Sequence, residues 1–201
     1  MNKQLTYNKT IVSFLLDESG SMSSVQEETV EGIRDYIKKL KSDPSPTIIR
    51  LQKFNSEHFS VSYDFEDINQ VTEMTYDEYS PNGLTPLLDS VGRTIEETSN
   101  YIETNCADKP NVIITIMTDG FENASSDYSH SKVKKMIAEK QNIGWEFTYM
   151  GANHDSWAVA SHFGLPRANV NNYAYANPKE ALLKNAELLI DIKRKMREGR
   201  N

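Results

Sequence analysis

The sequence predicts an α/β protein whose mainly parallel sheet is covered by helices on both faces. Three observations lead to this prediction. Short apolar, β-branched runs alternate along the chain with longer segments whose apolar residues recur at helical spacing. Several of the short runs are apolar throughout, which is typical of strands that are buried on both faces. Turn-forming residues separate these runs from the helical segments.

The first part of the chain alternates between strand and helix patterns. Residues 10–16 form an apolar, β-branched run that predicts a buried strand. A helical stripe follows and ends at the Ser-Asp-Pro-Ser-Pro run of residues 42–46. Residues 47–54 and 59–63 predict two strands of a hairpin at a sheet edge. The stripe consists of Val25, Thr29, Ile33, Tyr36, Ile37 and Leu40.

The middle of the chain repeats the helix–strand order after a polar, turn-rich segment at 64–84. One helical stripe precedes a strand at 111–118, and another precedes a strand at 145–150. The first of these stripes consists of Leu87, Leu88, Val91, Ile95, Thr98 and Ile102, and the second of Val133, Met136 and Ile137.

The last part of the chain predicts a helix at 156–163, a short strand at Val170 and a terminal helix from Pro178. We interpret the segment 164–177 as a surface connection. It is the nearest approach to a domain boundary, and the chain has no internal repeat or low-complexity linker. The sequence therefore predicts a single domain over residues 1–201.

Composition restricts the class of partner. The 22 basic and 29 acidic residues give a net charge of −7, so nucleic acid and anionic membranes are not expected partners. The segment 178–201 is an exception, because its seven basic and four acidic residues make it locally basic. Cys106 is the only cysteine, which excludes an intrachain disulfide. No apolar run suits a signal peptide or a membrane span, and we expect a cytoplasmic protein.

Polar side chains follow the predicted strands at one edge of the sheet. Asp17, Ser19 and Ser21 lie in the turn after the first strand, at a spacing that lets alternate side chains point the same way. Thr85 directly precedes a helical stripe, and Asp119 ends the strand at 111–118. Because ligands bind beyond the carboxyl ends of parallel strands, we expect these five side chains to converge.

These side chains are hard oxygen donors, which suit Mg²⁺ best, with Mn²⁺ and Ca²⁺ as alternatives. The set contains two carboxylates and three neutral hydroxyls, whereas a closed cage would contain more carboxylates. A divalent ion held in this way would remain electrophilic and keep room for an outside oxygen. A carboxylate from a protein partner is the expected additional ligand.

The motifs Asp17-x-Ser19-x-Ser21, Thr85-Pro and Asp119-Gly120 resemble the metal-ion-dependent adhesion site of von Willebrand factor type A domains. The resemblance spans about residues 10–195. It implies a Rossmann-like three-layer αβα fold with a central, mostly parallel six-stranded sheet and one antiparallel edge strand. It also implies that the two serines and Thr85 contact the ion, while both aspartates contact it directly or through water.

A second stretch of the sequence resembles a particular group of family members. The stretch from Trp145 to Asn153 is similar to single-domain bacterial and phage members of the family. The terminal helix, at about 178–200, resembles a helix that is mobile in some relatives.

Three functions remain open at this stage. The first is an intracellular protein-interaction module that docks an acidic residue of its partner on the ion. The second is a structural or regulatory subunit, for example of an AAA+ ATPase complex, whose metal only stabilises loops. The third is a metal-dependent phosphoryl-transfer enzyme. We expect no enzyme and no catalytic residue, because the sequence has no P-loop, no Gly-x-Ser-x-Gly motif and no evident base.

Several other residues have either a structural or a functional interpretation. Residues flanking the candidate ligands either form solvated loop or contact a partner; they are Glu18, Ser23, Ser24, Phe121, Glu122 and Asn123. Asn82 and Gly83 are expected to shape the turn before Thr85.

The remaining candidates favour structural roles. The histidines have no zinc-like spacing with each other or with Cys106; they are His58, His130, His154 and His162. The basic run from Lys193 to Arg200 either binds acidic partners or complements the helix C-terminus. Tyr173 and Tyr175 either form a surface patch or pack under the terminal helix. The oligomeric state is not predicted.

Overall fold

The computed structural model describes residues 9–152, 156–173 and 177–199, except for the side chain of Trp157. Within these residues the chain forms six strands and five α-helices. The strands are β1 (Thr10–Asp17), β2 (Thr47–Phe54), β3 (Phe59–Asp67), β4 (Asn111–Thr118), β5 (Glu146–Ala152) and β6 (Val170–Tyr173). The helices are α1 (Gln26–Lys41), α2 (Leu87–Asn105), α3 (His130–Asn142), α4 (Ser156–His162) and α5 (Pro178–Glu198).

The strands form one sheet in the order β3-β2-β1-β4-β5-β6. Only the β2–β3 pair is antiparallel, and β3 lies at an edge of the sheet. All other described pairs are parallel. The predicted fold class is therefore confirmed, including the six strands, the antiparallel edge strand and the hairpin that produces it.

The alternation of side chains along β1 explains the three layers. Val12, Phe14 and Leu16 lie in the apolar core that contains the buried faces of α1 and α5. Leu15 lies in the second core, with residues of α2, α3 and α4. Because both faces of β1 are covered, all eight of its residues are buried, as the uninterrupted apolar run predicts.

The helices α1 and α5 approach each other closely at Gly32. A Cβ atom at Gly32 would lie 2.6 Å from Leu182 Cδ1 and 2.9 Å from Lys179 Cα. A side chain at this position would therefore push the two helices apart.

The predicted boundaries agree closely with the structure for 47–54, 111–118 and the start of the terminal helix. The interpretation of 164–177 as a surface connection was wrong in part. Leu165 and Tyr173 are buried, and β6 pairs with β5 as the sixth strand. The strand has only four residues, so it is too short for its periodicity to separate it from a loop. Residues 174–176 lie outside the described residues, and so does Tyr175.

The carboxyl end of β1 lies beside the point where the strand order changes direction. The chain leaves β1 through α1 to β2 on one side, and it reaches β4 on the other side through α2. The strand order therefore changes direction between β1 and β4. Such a switch point is the usual ligand-binding position in an open α/β sheet.

Across the described part of the chain, no helix has the length and apolar character that crossing a bilayer requires.

A buried ion pair ties α5 to the α1–β2 connection. The Lys193 ammonium is fully buried and lies 2.6 Å from Asp43 Oδ2. It also donates to Thr47 Oγ1 at 2.7 Å. Burial lowers the pKa of Lys193, and the contact with Asp43 opposes that shift. The charge on Lys193 is therefore held in the interior by one carboxylate and one hydroxyl.

The basic end of α5 is largely paired within the chain. Arg194 and Lys195 both contact Asp191, and Arg197 lies 3.9 Å from Asp43. These contacts favour the structural interpretation of the basic run, of which Arg200 lies outside the described residues.

We expect the Asp43→Asn variant to lose about 3–5 kcal/mol of unfolding free energy, because the Lys193 ammonium remains buried without its counter-charge. Adding Lys193→Met to this variant should recover much of the loss, since the double variant buries no unpaired charge. Urea unfolding followed by circular dichroism measures both changes. A double variant no more stable than Asp43→Asn would contradict this explanation.

Candidate functional site

The carboxylate of Asp17 joins β1 to β4. Asp17 is fully buried at the end of β1, and its Oδ1 accepts a hydrogen bond of 2.7 Å from the Ser19 amide. Its Oδ2 accepts a hydrogen bond of 2.5 Å from Thr118 Oγ1, on the neighbouring strand. Thr118 was not predicted as a site residue, although its position directly before Asp119 at a strand end was a usable signal.

A second set of hydrogen bonds lies next to this carboxylate, at the carboxyl ends of β1 and β4. Ser19 Oγ and Ser21 Oγ lie 3.2 Å apart, and Ser21 Oγ donates to Asp119 Oδ1 at 2.7 Å. Ser19 is buried, whereas Ser21 is exposed and Asp119 is half-buried. The turn after β1 and the end of β4 thus share one polar cluster.

Thr85 reaches the same cluster from a third segment. A Cβ atom at Gly120 would lie 3.1 Å from Thr85 Oγ1, so the threonine hydroxyl lies against the backbone next to Asp119. The Thr85 amide donates to Asn123 Oδ1 at 2.7 Å, and the Thr85 carbonyl accepts from the Asn123 amide at 3.2 Å. The structure therefore brings all five predicted side chains to one edge of the sheet.

Burial dominates the electrostatics of Asp17. Removal from water raises the pKa of this carboxyl from 3.8 to about 6. Hydrogen bonds from Thr118 and Ser19 oppose the shift, and the charge of Asp119 adds to it. An ionised Asp17 is thus costly here unless a positive charge lies beside it.

The donor chemistry fits a hard divalent cation. The cluster contains two carboxylates and three hydroxyls, which are all oxygen ligands. In the described residues, no group of three or more His, Cys, Asp or Glu side chains is arranged to hold a metal. A cluster with two carboxylates is not expected to form such a group, because hydroxyls supply its other donors.

Glu18 is buried, which excludes the solvated-loop alternative for this residue. Its Oε2 lies 2.8 Å from His58 Nε2, and its Oε1 accepts from the Ser80 amide at 2.7 Å. The Lys53 ammonium lies 3.8 Å from the same carboxylate. The charge of Glu18 is satisfied by groups far away in sequence, so no local pattern indicated its burial. This carboxylate joins β2, the β2–β3 turn and the loop before α2.

The loop before α2 is held against the turn that follows β1. The amide of Gly20 donates to the Gly83 carbonyl at 3.0 Å, and Asn82 donates from its amide to the Glu18 carbonyl at 3.0 Å. Gly83 has a φ of 69°, which favours glycine, as expected for a residue that shapes this turn. Tyr79, which the sequence did not single out, donates from its hydroxyl to the Asp17 carbonyl at 2.6 Å.

Glu122 anchors the loop after β4 rather than facing solvent as loop residues usually do. Its carboxylate accepts hydrogen bonds from the amides of Leu88, Ala124 and Ser125, at 2.7–2.9 Å. Burial alone would raise the pKa of Glu122. These bonds and the Ser125 hydroxyl outweigh burial and hold the pKa of Glu122 below its usual value. The loop that carries Asp119 is thereby fastened to the start of α2.

Other residues singled out in the sequence lie in varied surroundings. Ser23, Ser24, Phe121 and Asn123 are exposed around the cluster. The rings of His130 and His162 lie 6.5 Å apart on the surface, and His154 is outside the described residues. Cys106 is a free thiol that follows α2. Tyr173 is buried, which favours packing over a surface patch.

No protein-family model matches the sequence, and no curated protein matches it as a relative. Solved structures do share its fold. A von Willebrand factor type A protein from Catenulispora acidiphila has a TM-score of 0.59 and 14% identity, over 91% of this chain and 42% of that chain. The manganese-loaded TRAP protein of Plasmodium vivax has a TM-score of 0.58 and 15% identity, over 89% and 73%.

A third structure gives a higher TM-score. The pilus adhesin SpaC from Lactobacillus rhamnosus GG, in its open conformation, has a TM-score of 0.67 and 11% identity, over 94% of this chain and 31% of that chain. The chain thus spans less than half the length of two of these three proteins. At these identities the likeness concerns the fold alone, which is a von Willebrand factor type A-like three-layer α/β fold.

We expect Glu122→Gln to destabilise the protein near neutral pH, because an amide cannot accept all the hydrogen bonds that the carboxylate accepts. Folding lowers the pKa of Glu122 below its unfolded value of about 4.5. The ionised carboxylate therefore contributes its full stabilisation to the unfolding free energy above about pH 4.5, and this stabilisation is lost as the pH falls below that value. The difference in unfolding free energy between the two proteins should shrink accordingly. Urea unfolding across this pH range measures it.

The matched control for this measurement is Glu103→Gln, which changes an exposed glutamate near the end of α2. This control should show little pH-dependent difference from the unchanged protein. A Glu122→Gln difference that stays constant below pH 4.5 would contradict the role of the ionised carboxylate.

Proposed function

We propose that the chain is a protein-interaction module that holds a divalent cation and docks a carboxylate of a partner protein on it. The proposed ligands are Asp17, Ser19, Ser21, Thr85 and Asp119. The observation that carries the proposal is the convergence of these side chains, from three distant segments, at the carboxyl ends of β1 and β4. Mg²⁺ is the proposed ion, with Mn²⁺ or Ca²⁺ as alternatives.

The proposed ligands differ in how deeply they are buried. Asp17, Ser19 and Thr85 are buried and fixed by backbone or strand contacts, so they would form the inner wall of the site. Ser21 and Asp119 lie nearer the surface, on the side from which a partner approaches. When bound, the ion would act as a Lewis acid toward a carboxylate of the partner. The two protein carboxylates offset its charge without surrounding it with acidic ligands.

The comparisons support this proposal at the level of the fold. One protein with the same fold is manganese-loaded and another is a pilus adhesin. We propose the same class of role, binding rather than catalysis, for this chain. We also propose a cytoplasmic location and a single domain, because the sequence offers no disulfide pairing and no internal linker.

We expect Mg²⁺ to raise the unfolding temperature relative to EDTA, because the ion binds only the folded site. Binding contributes about 2.7 kcal/mol when the free ion is roughly a hundredfold above its Kd. The shift should disappear in Asp17→Asn and weaken in Ser21→Ala. Thermal unfolding and titration calorimetry measure these effects.

The matched control is Ser23→Ala, which removes another exposed hydroxyl from the same turn. Ser23 donates to the Gly20 carbonyl at 2.7 Å and is not a proposed ligand. The control should keep the Mg²⁺ shift. An equal loss in Ser23→Ala and Ser21→Ala, or no shift with any of the three ions, would contradict the proposed ligand set.

The docking step is tested with two matched libraries of short random peptides, one centred on Asp and the other on Asn. We expect the protein to retain Asp-centred peptides in Mg²⁺ and to release them in EDTA, because only a carboxylate suits the ion. Asn-centred peptides should not be retained. An Mg²⁺ stability shift without any retention would contradict docking and favour an ion that only stabilises the loops.

A further inference from the structure

A buried tyrosine next to the candidate site has a hydroxyl group that the fold does not use. Tyr149 lies on β5 and is fully buried. Among the described residues, its hydroxyl oxygen has no hydrogen-bond partner. A phenylalanine would fill the same apolar core without this cost, because an unsatisfied buried hydroxyl is unfavourable. The hydroxyl therefore needs an explanation other than packing.

The register of the sheet places Tyr149 one row before the candidate ligands. Leu15 pairs with Ile116, and Ile116 pairs with Tyr149, so these residues form one row across β1, β4 and β5. All three belong to the same apolar core. Side chains two residues further along a strand point to the same face of the sheet. The next row toward the carboxyl ends therefore contains Asp17, on the same face as Tyr149.

The tyrosine ring extends toward that next row. Thr118, which donates to the Asp17 carboxylate, pairs with Gly151 on β5. A Cβ atom at Gly151 would lie 2.9 Å from Tyr149 Cε1, so the ring leans along β5 toward the carboxyl end of the strand. The ring fills the space that a side chain at Gly151 would occupy. Glycine at this position thus lets the phenol approach the row of Asp17 and Thr118.

The electrostatics agree with this placement. Burial raises the pKa of the Tyr149 hydroxyl, and the charge of Asp17 raises it further. The carboxylate of Asp17 therefore acts on the phenol within the interior of the protein. Because a nearby negative charge disfavours a tyrosinate, the hydroxyl keeps its proton and remains a hydrogen-bond donor.

The Asp17 carboxylate has capacity for another hydrogen bond. An ionised carboxylate offers about four lone-pair positions. The Ser19 amide and the Thr118 hydroxyl each donate to one of its oxygens. A bound ion would occupy a further position and would still leave one for another donor. The Tyr149 hydroxyl is a suitable donor, since it lies on the same face of the sheet and has no other partner among the described residues.

We propose that Tyr149 is a positioning residue of the ion site, whose hydroxyl donates to the Asp17 carboxylate, directly or through one water, when an ion is bound. This inference rests on the proposed function and assigns a further residue to the same site. Tyr149 acts through Asp17 rather than on the ion. Its hydrogen bond keeps the carboxylate ionised and oriented while the ion draws on one of its oxygens.

The test compares Tyr149→Phe with the unchanged protein. We expect this variant to bind Mg²⁺ at least about tenfold more weakly, because the hydrogen bond that it loses has a charged acceptor. In EDTA its unfolding free energy should not fall, since the hydroxyl has no partner among the described residues of the ion-free fold. Titration calorimetry measures the affinity, and urea unfolding measures the stability.

The matched control is Tyr36→Phe. Tyr36 is also fully buried, but it lies on α1 in the other core, where its ring packs edge-on against Phe14. This variant should keep the Mg²⁺ affinity of the unchanged protein. Fluorotyrosine labelling gives a second measurement. The fluorine NMR signal that Tyr149→Phe removes should shift when Mg²⁺ is added to the unchanged protein, whereas the signal that Tyr36→Phe removes should not.

The outcomes separate this inference from the proposed function. Unchanged Mg²⁺ affinity in Tyr149→Phe, or an equal loss in Tyr36→Phe, would overturn the role of Tyr149 and leave the ion site intact. A loss of stability of Tyr149→Phe in EDTA would give the hydroxyl a structural role and would also overturn the inference. If the unchanged protein binds none of Mg²⁺, Mn²⁺ and Ca²⁺, the proposed function and this inference both fail.

Discussion

The hydrogen bond from Thr118 to the buried carboxylate of Asp17 is the interaction on which the candidate site depends. It joins the ends of β1 and β4 where the strand order changes direction, and it holds a negative charge out of contact with water. Burial opposes ionisation of Asp17, and the nearby charge of Asp119 adds to that opposition. A hard cation relieves both costs at once. These two costs are the physical argument that supports the proposed ion site.

A second layer of contacts restricts how the loops around Asp17 can move. Tyr79 holds the Asp17 carbonyl, and the Glu18 carboxylate bonds to His58 and the Ser80 amide. Glu122 fastens the loop after β4 to α2. Because these partners belong to different segments, moving one loop breaks bonds in another. On the proposed function, such support would keep the ligands in place before an ion binds.

The sequence predicted the fold and the position of the five polar residues for the same reason. Both depend on local patterns: apolar runs that end in Asp or Thr, followed by turns and helical stripes. The burial of Glu18 depends on His58, which lies 40 residues away, and Tyr79 contacts Asp17 across 62 residues. No local pattern contains such information. The strand β6 was recognised only at Val170, because four residues are too few to show a period.

On the proposed function, ion and partner stabilise each other. Each oxygen that a partner adds to the ion strengthens ion binding, and by thermodynamic linkage the ion strengthens partner binding by the same factor. Two carboxylates and three hydroxyls hold a divalent ion less tightly than a closed acidic cage does. Much of the total affinity then appears only in the ternary complex. On this proposal, the ligands themselves set the requirement for an acidic residue in the partner.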